Sequence, residues 1–215
     1  MMDKNEPILI ACEESGIVTE QFINKGFTKV FSCDMLETTG KYPEHHIIGD
    51  VSHLLIKGNH KFTTSDGNYH ELKQDFSLII AFPPCTHLAS SGARWFAEKR
   101  KDGRQLRAIQ FFMIFAWRTD IPIAVENPIG IMSTFYRKPD QIIQPWMFGH
   151  GETKATCLWL NKLPKLEPTD IVEGRKNRIH KMPESKNRAK LRSITYPGIG
   201  KAMAGQWSCI GARRK

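Results

Sequence analysis

The sequence predicts an α/β protein: a mainly parallel sheet with helices on both faces. Short apolar runs recur along the chain, and longer stretches compatible with helices separate them. The clearest runs are apolar throughout instead of alternating, as strands buried on both faces are. PILIAC (7–12) reads as the first strand, followed by a helix over about 17–25 that stops at Gly26. KVFSCD (29–34) is the second strand and ends on an acid, and Ile47-Ile48, just before Gly49-Asp50-Val51, make a short third. Between 57 and 74 the rhythm breaks. There KFTTSDGNYHEL reads as a hairpin around Ser65-Asp66-Gly67-Asn68, an excursion from the sheet. FSLIIA (76–81) is the strongest strand signal, a helix over 104–118 follows, and IPIAVE (121–126) is the next strand, with a helix expected to begin near Pro128. Residues 161–192 are rich in Lys, Arg, Pro and Asn without periodicity, the pattern of a segment that is mobile or ordered by a partner.

Charge is unevenly placed. Of the net +9, residues 1–160 carry 17 Lys+Arg against 18 Asp+Glu, and residues 161–215 carry 14 against 4. A near-neutral body with a basic C-terminal quarter suits a polyanionic partner such as nucleic acid, with a solvated basic face as the plain alternative. No apolar run approaches the roughly 20 residues that span a bilayer, and the first residues lack the pattern of a signal peptide. The 5 cysteines are odd in number, widely spaced and without a CxxC, which favours a reducing, cytoplasmic setting over a disulfide framework. His45-His46 and Cys85/His87 do not assemble a ligand set, so no metal site is predicted.

In such a sheet ligands bind outside the carboxyl ends of the strands. The residues there are Glu13-Glu14-Ser15-Gly16, Asp34-Met35, Pro83-Pro84-Cys85 and Glu126-Asn127-Pro128. A small-residue turn after the first strand admits a ligand closely, and an acid ending the second suits a ribose. Cys85 follows two prolines that stiffen its loop, and Glu126 ends the next strand 41 residues later. A thiolate nucleophile beside an acid that protonates the attacked ring is a coherent pair. Singly, Cys85 reads as a small buried hydrophobe and Glu126 as a helix cap.

Taken in order, these positions resemble the DNA cytosine carbon-5 methyltransferases over most of the chain. ACEESGIVTEQFINKGF (11–27) is similar to the family's opening glycine segment and helix, FPPCT to its Pro-Pro-Cys-Gln loop, and Ser91-Gly92 to the small pair after it. Asp102, Arg104 and Leu106 resemble its D-x-R…L signature. Glu126-Asn127-Pro128 resembles Glu-Asn-Val, and FGHGETKATCLWL (148–160) the segment with Gln-x-Arg-x-Arg. Gly198 stands where a closing helix returns to the cofactor. The resemblance implies a Rossmann-like fold that binds S-adenosyl-L-methionine through Glu14, Ser15, Gly16, Asp34, Met35, Asp50, Val51 and Pro83. It implies Cys85 as nucleophile and Glu126 as acid at the ring, with Pro84, Thr86, Arg94, Asn127 and Lys154 toward the substrate base. Lys154, Arg94 and His87 are the candidates for lowering the thiol's pKa.

The departures are specific. Two family glycines are replaced, by Glu14 and Ile17, so the methionine end of the cofactor is expected to be held differently. Thr86 stands for Gln, and Glu152, Lys154 and Thr156 for Gln-x-Arg-x-Arg, so the second arginine is lost. A catalytic body over 1–160 is followed by 161–196 in the place of a target-recognition domain and by a closing helix and basic tail over 197–215. The strip holds Lys162, Lys165, Arg175, Lys176, Arg178, Lys181, Lys186, Arg188, Lys190 and Arg192, suited to phosphates more than to base readout. DNA is the expected partner. RNA, a free cytosine nucleotide, or an inactive nucleic-acid-binding relative are the alternatives. Phe111, Phe112 and Phe115 are expected in the core, Trp95 is the aromatic placed to touch substrate, and His150, His180 and Lys99-Arg100-Lys101 are expected on the surface.

Overall fold

A computed structural model describes residues 2–185 and 188–209; Lys186 of the basic strip, the tail 210–215 and the side chain of His180 lie outside the described residues. The apolar runs form the expected strands: β1 (Ile8–Ala11), β2 (Val30–Asp34) and β3 (His46–Ile48), with α1 (Ile17–Asn24) between the first two. The hairpin is β4 (His60–Thr63) paired antiparallel with β5 (Tyr69–Leu72), apart from the main sheet. Next come β6 (Leu78–Ala81), α2 (Phe96–Lys101), α3 (Arg104–Ala116) and β7 (Ile123–Pro128). After them lie α4 (Met132–Phe135), β8 (Gln141–Ile143), β9 (Thr156–Asn161), α5 (Arg178–Lys181), α6 (Arg188–Ser193) and α7 (Pro197–Trp207). The seven-stranded sheet runs β3-β2-β1-β6-β7-β9-β8, parallel except that β9 opposes both its neighbours. It is the Rossmann-like doubly wound sheet the sequence predicts.

Successive residues of a strand point to opposite faces, so a strand apolar throughout serves two cores at once. Leu9 and Ala11 face one side with Phe31, Ile79, Ala81 and Val125, under Ile109, Phe112 and Phe115 of α3. Ile8 and Ile10 face the other with Val30, Leu78, Ile80 and Ala124, under Val18 and Phe22 of α1 and Ile199, Met203 and Trp207 of α7. The phenylalanines of α3 are therefore core: Phe112 and Phe115 are fully buried.

Four local expectations are corrected. The fourth helix does not begin at Pro128: β7 runs through it, Gly130 bridges to Ala89, and α4 starts only at Met132, so Glu126 is not a helix cap. The helix read over 104–118 ends at Ala116, and Arg118 is buried in ion pairs with Asp75 (2.8 Å) and Asp120 (3.0 Å). Lys99 is buried rather than on the surface, donating to the Thr86 carbonyl at 2.7 Å. His150 is half-buried, its Nε2 accepting the Gly198 amide at 3.0 Å.

The stretch after β9 is held to the body at several points. Leu166 is buried, Trp207 Nε1 donates to the Pro164 carbonyl (3.0 Å), and Phe148 and Glu152 bridge to Asp170 and Lys176. Among the described residues no helix is long and apolar enough to cross a membrane.

The start of α7 requires glycine. A Cβ on Gly198 would lie 1.8 Å from the Phe148 carbonyl oxygen, whereas one on Gly200 would meet α1 at ordinary distances of 3.4–3.5 Å. Gly198→Ala is expected to cost about 3 kcal/mol and Gly200→Ala less than about 1, measured by denaturant unfolding.

Candidate active site

The strand order reverses between β1 and β6, and the crevice outside their carboxyl ends is where an open sheet takes a ligand. Gly16, after β1, has φ +65°, in the left-handed region that favours glycine. A Cβ there would stand 3.1 Å from the Cα of Gly40, and one on Gly40 would stand 3.0 Å from both the Cα of Gly16 and the Ser15 carbonyl. The two backbones thus touch, and Thr38 Oγ1 (2.8 Å) and the Thr39 amide (3.1 Å) both donate to the Glu14 carbonyl. Ser15 Oγ lies 3.5 Å from the Ile17 amide at the start of α1.

Glu13 turns inward and is 4% exposed. Its carboxylate accepts the Val18 amide (2.6 Å), the Thr19 amide (3.2 Å) and Thr19 Oγ1 (2.6 Å), filling the N-terminus of α1. Burial pushes its pKa up against those bonds. Glu14 turns the other way, and its Oε1 lies 2.9 Å from Lys190 Nζ of α6. The Glu14 side chain is 12% exposed, and Oε1 is buried without an aligned hydrogen bond.

At the end of β2, Asp34 Oδ1 accepts the Leu36 amide at 3.0 Å, and Met35 is 70% exposed beside it. Asp50 Oδ1 accepts the Ser52 amide (2.9 Å) and caps a short 3-10 turn in which Val51 is buried; those bonds hold its pKa low. Asp34 and Asp50 both bear on the Cys12 thiol, whose pKa burial drives far above the usual thiol value. β1, β2 and β3 are adjacent and parallel, so their carboxyl ends lie at one sheet edge.

The second set lies at β6, β7 and β9. The loop after β6 and the end of β7 are fastened together: Asn127 Nδ2 donates to the Pro83 carbonyl (2.8 Å), the Ile131 amide to Leu88 (3.0 Å), and the Ser90 amide to Ile129 (2.9 Å). A Cβ on Gly130 would fall 2.2 Å from the Leu88 carbonyl oxygen. Pro83 is buried and Pro84 exposed, and the Cys85 carbonyl accepts the Leu88 and Ala89 amides at 2.9 Å. Asn127, expected toward substrate, is buried as this fastener.

Because β9 runs against the sheet, its first residues return to the carboxyl edge; Thr156 pairs with Pro128 and Leu158 with Glu126. That places Lys154 over the pocket. Its Nζ donates to the Ile194 carbonyl (3.0 Å) and lies 5.9 Å from the Tyr196 ring. A small cavity is lined by Phe82, Glu126, Lys154, Thr156, Thr195 and Tyr196.

Burial raises the Glu126 pKa, and Lys154 opposes the rise. Burial and then Glu126 raise the Cys85 pKa, with Lys154 and Arg192 of α6 working against them. Burial in turn lowers the Lys154 pKa, while Glu126 and Cys85 draw it back up. Thiol, carboxyl and ammonium thus form one coupled group. Of the three cation candidates, Lys154 is the one whose charge favours a lower Cys85 pKa in this arrangement. Arg94 is exposed and lies over Trp95 at 5.2 Å, and Thr86 is exposed, held by its carbonyl. Sequence reading did not single out Arg192, Tyr196 or the Thr38–Gly40 loop; the only signal was Arg192's place in the basic strip. Glu152, in the family's arginine segment, accepts Tyr196 Oη (2.7 Å) and Arg178 Nε (3.1 Å).

No family model matches the chain, and no curated protein matches it in sequence. Among solved structures, it is similar to one from E. coli described as a DNA modification methyltransferase encoded within a prophage. The two share 12% identity with a TM-score of 0.46 over 79% of this chain, which spans about half (52%) of that one.

Replacing Lys154 removes one of the two cations, with Arg192, that counter the rise in the Cys85 pKa. In a Cys209→Ser background, which removes the exposed thiol, Lys154→Met is expected to move the pH midpoint of Cys85 alkylation by iodoacetamide upward. An unmoved midpoint would show that Lys154 does not act on the thiol.

Proposed function

We propose that the protein transfers a methyl group from S-adenosyl-L-methionine to carbon-5 of a cytosine in DNA, through a covalent adduct on Cys85. The observation that carries this reading is that the Cys85 loop is fastened to the end of β7, which bears Glu126, with Lys154 brought to the same sheet edge ahead of β9. The residues across the crevice suit the cofactor. Asp34 offers a carboxylate to a ribose, exposed Met35 an apolar face to a purine, and the buried oxygen of Glu14 a partner for a cation. The Gly16–Gly40 approach leaves a turn without side-chain bulk.

When bound, the cofactor supplies an electrophilic methyl group on sulfonium sulfur. The Cys85 thiolate adds to carbon-6 of the ring, and the proton on Glu126 passes to nitrogen-3 as the ring's electrons shift. Carbon-5 would then be nucleophilic enough to take the methyl group, the methyl–sulfur bond breaking to leave a neutral thioether. Loss of the carbon-5 proton to a base and departure of the Cys85 thiolate then restore the aromatic ring, and nitrogen-3 returns its proton to Glu126. Burial raises the Glu126 pKa, which favours its protonated form, and Lys154 draws the Cys85 pKa down against burial and Glu126. In duplex DNA the base leaves the stack first, at a few kcal/mol.

DNA as the substrate rests on the resemblance and on the exposed basic residues Lys165, Lys176 and Lys181 of the strip. Several others of the strip are engaged internally: Arg178 on Glu152, Lys190 on Glu14, and Arg175 over Trp146 at 4.0 Å.

Labelled S-adenosyl-L-methionine offered with DNA, RNA or cytosine nucleotides should give transfer to DNA. Cys85→Ser should abolish it, and Glu126→Gln should lower it by about 10²–10⁴-fold. DNA containing 5-fluorocytosine should be trapped on Cys85, because fluorine blocks the final elimination. Transfer surviving Cys85→Ser would refute the adduct, and transfer to RNA or nucleotides alone would reassign the substrate. DNA binding should weaken with salt, at about 0.9 log units per log unit for each phosphate contacted. Salt-independent binding would exclude the basic strip as the phosphate site.

A further inference from the structure

The usual anion site of a Rossmann-like turn is the N-terminus of its first helix, where unpaired amides and the helix dipole favour negative charge. Here that site is filled from within, since Glu13 consumes the Val18 and Thr19 amides. A ligand carboxylate brought to this turn would find no donors on α1 and would be repelled by Glu13. Beside it stands a second carboxylate, Glu14, which is ion-paired with Lys190 across the mouth of the crevice. Its own carbonyl is pinned by Thr38 and Thr39, so the side chain projects from a fixed point. Lys190 is 45% exposed at the side chain and reaches the pair from α6, in the basic strip.

We infer that Glu14 and Lys190 form the binding site for the zwitterionic amino-acid end of the methyl donor, Glu14 taking the α-ammonium and Lys190 the α-carboxylate. This rests on the proposed use of S-adenosyl-L-methionine. The pair supplies opposite charges 2.9 Å apart, and the ligand end carries opposite charges on one carbon. Binding therefore exchanges one ion pair for two and leaves no charge alone. It also explains how the turn works with Glu14 where the family has glycine: the acid is part of the site, and its counter-charge comes from the strip that replaces the recognition domain.

The test is calorimetric and needs no turnover. The probes are S-adenosylhomocysteine, which has the amino-acid end, and 5′-methylthioadenosine, which lacks it. The wild-type chain should bind the first at least about tenfold more tightly, as expected for charge-assisted bonds. Lys190→Met should lose about tenfold for S-adenosylhomocysteine and stay within twofold for methylthioadenosine, and Lys190→Arg should recover most of the loss. Unchanged affinity for S-adenosylhomocysteine in Lys190→Met overturns the inference. Equal weakening of both probes also overturns it, because Lys190 would then only support the fold. Equal binding of both probes by the wild type does the same. If the wild type binds neither probe, the proposed cofactor itself is wrong, a result distinct from the other three.

Discussion

The site depends on one fastening: the side-chain amide of Asn127 on the carbonyl of Pro83, continued by Leu88 against Gly130. Strand pairing alone sets β6 beside β7 but leaves the loops beyond them free to diverge. With the loops tied at 2.8–3.0 Å, Cys85 and Glu126 cannot move independently. The prolines at 83 and 84 restrict the same loop from within, so Cys85 is placed by covalent stiffness on one side and hydrogen bonds on the other.

The charges follow from the direction of a single strand. Had β9 run parallel, Lys154 would open it at the far edge of the sheet, and Glu126 would be a buried acid without a cation. Running antiparallel, β9 delivers an ammonium to a pocket whose burial raises both acids. α6 then adds Arg192 on the thiol side and Lys190 on Glu14. A short basic segment thereby joins the rest of the chain at two points, and part of its charge is neutralised within the molecule.

The central strands were legible in the sequence because continuous apolar runs between turn residues have few other uses, and the hairpin because Asp66-Gly67 sits between short strand-like runs. The convergence of Cys85 with Glu126 was legible from their positions after strands, given adjacent pairing. β8 and β9 were missed: Gln141–Ile143 is three residues, and TCLWLN follows a polar lead-in that hides its start. Lys99 reads as one of three surface cations until Thr86 is seen to offer it a carbonyl. The docking of 161–196 has no periodic signature because it uses scattered anchors, Leu166 in a core and Lys190 on an acid 176 positions earlier. Asn127 could be placed near the site from sequence, but only tertiary contact makes it a fastener.

α7 packs on α1, with Gly200 against Val18 about 180 positions away in the chain. Contacts of that separation are closed late in folding, after the loop entropy between them has been lost. Until they close, one face of α1 is uncovered and the turn at its head lacks its backing. The crevice for a small ligand is thus among the last parts of the molecule to become rigid. A ligand that binds there should slow unfolding by holding α1 and α7 together, which makes it a clamp on the whole sheet.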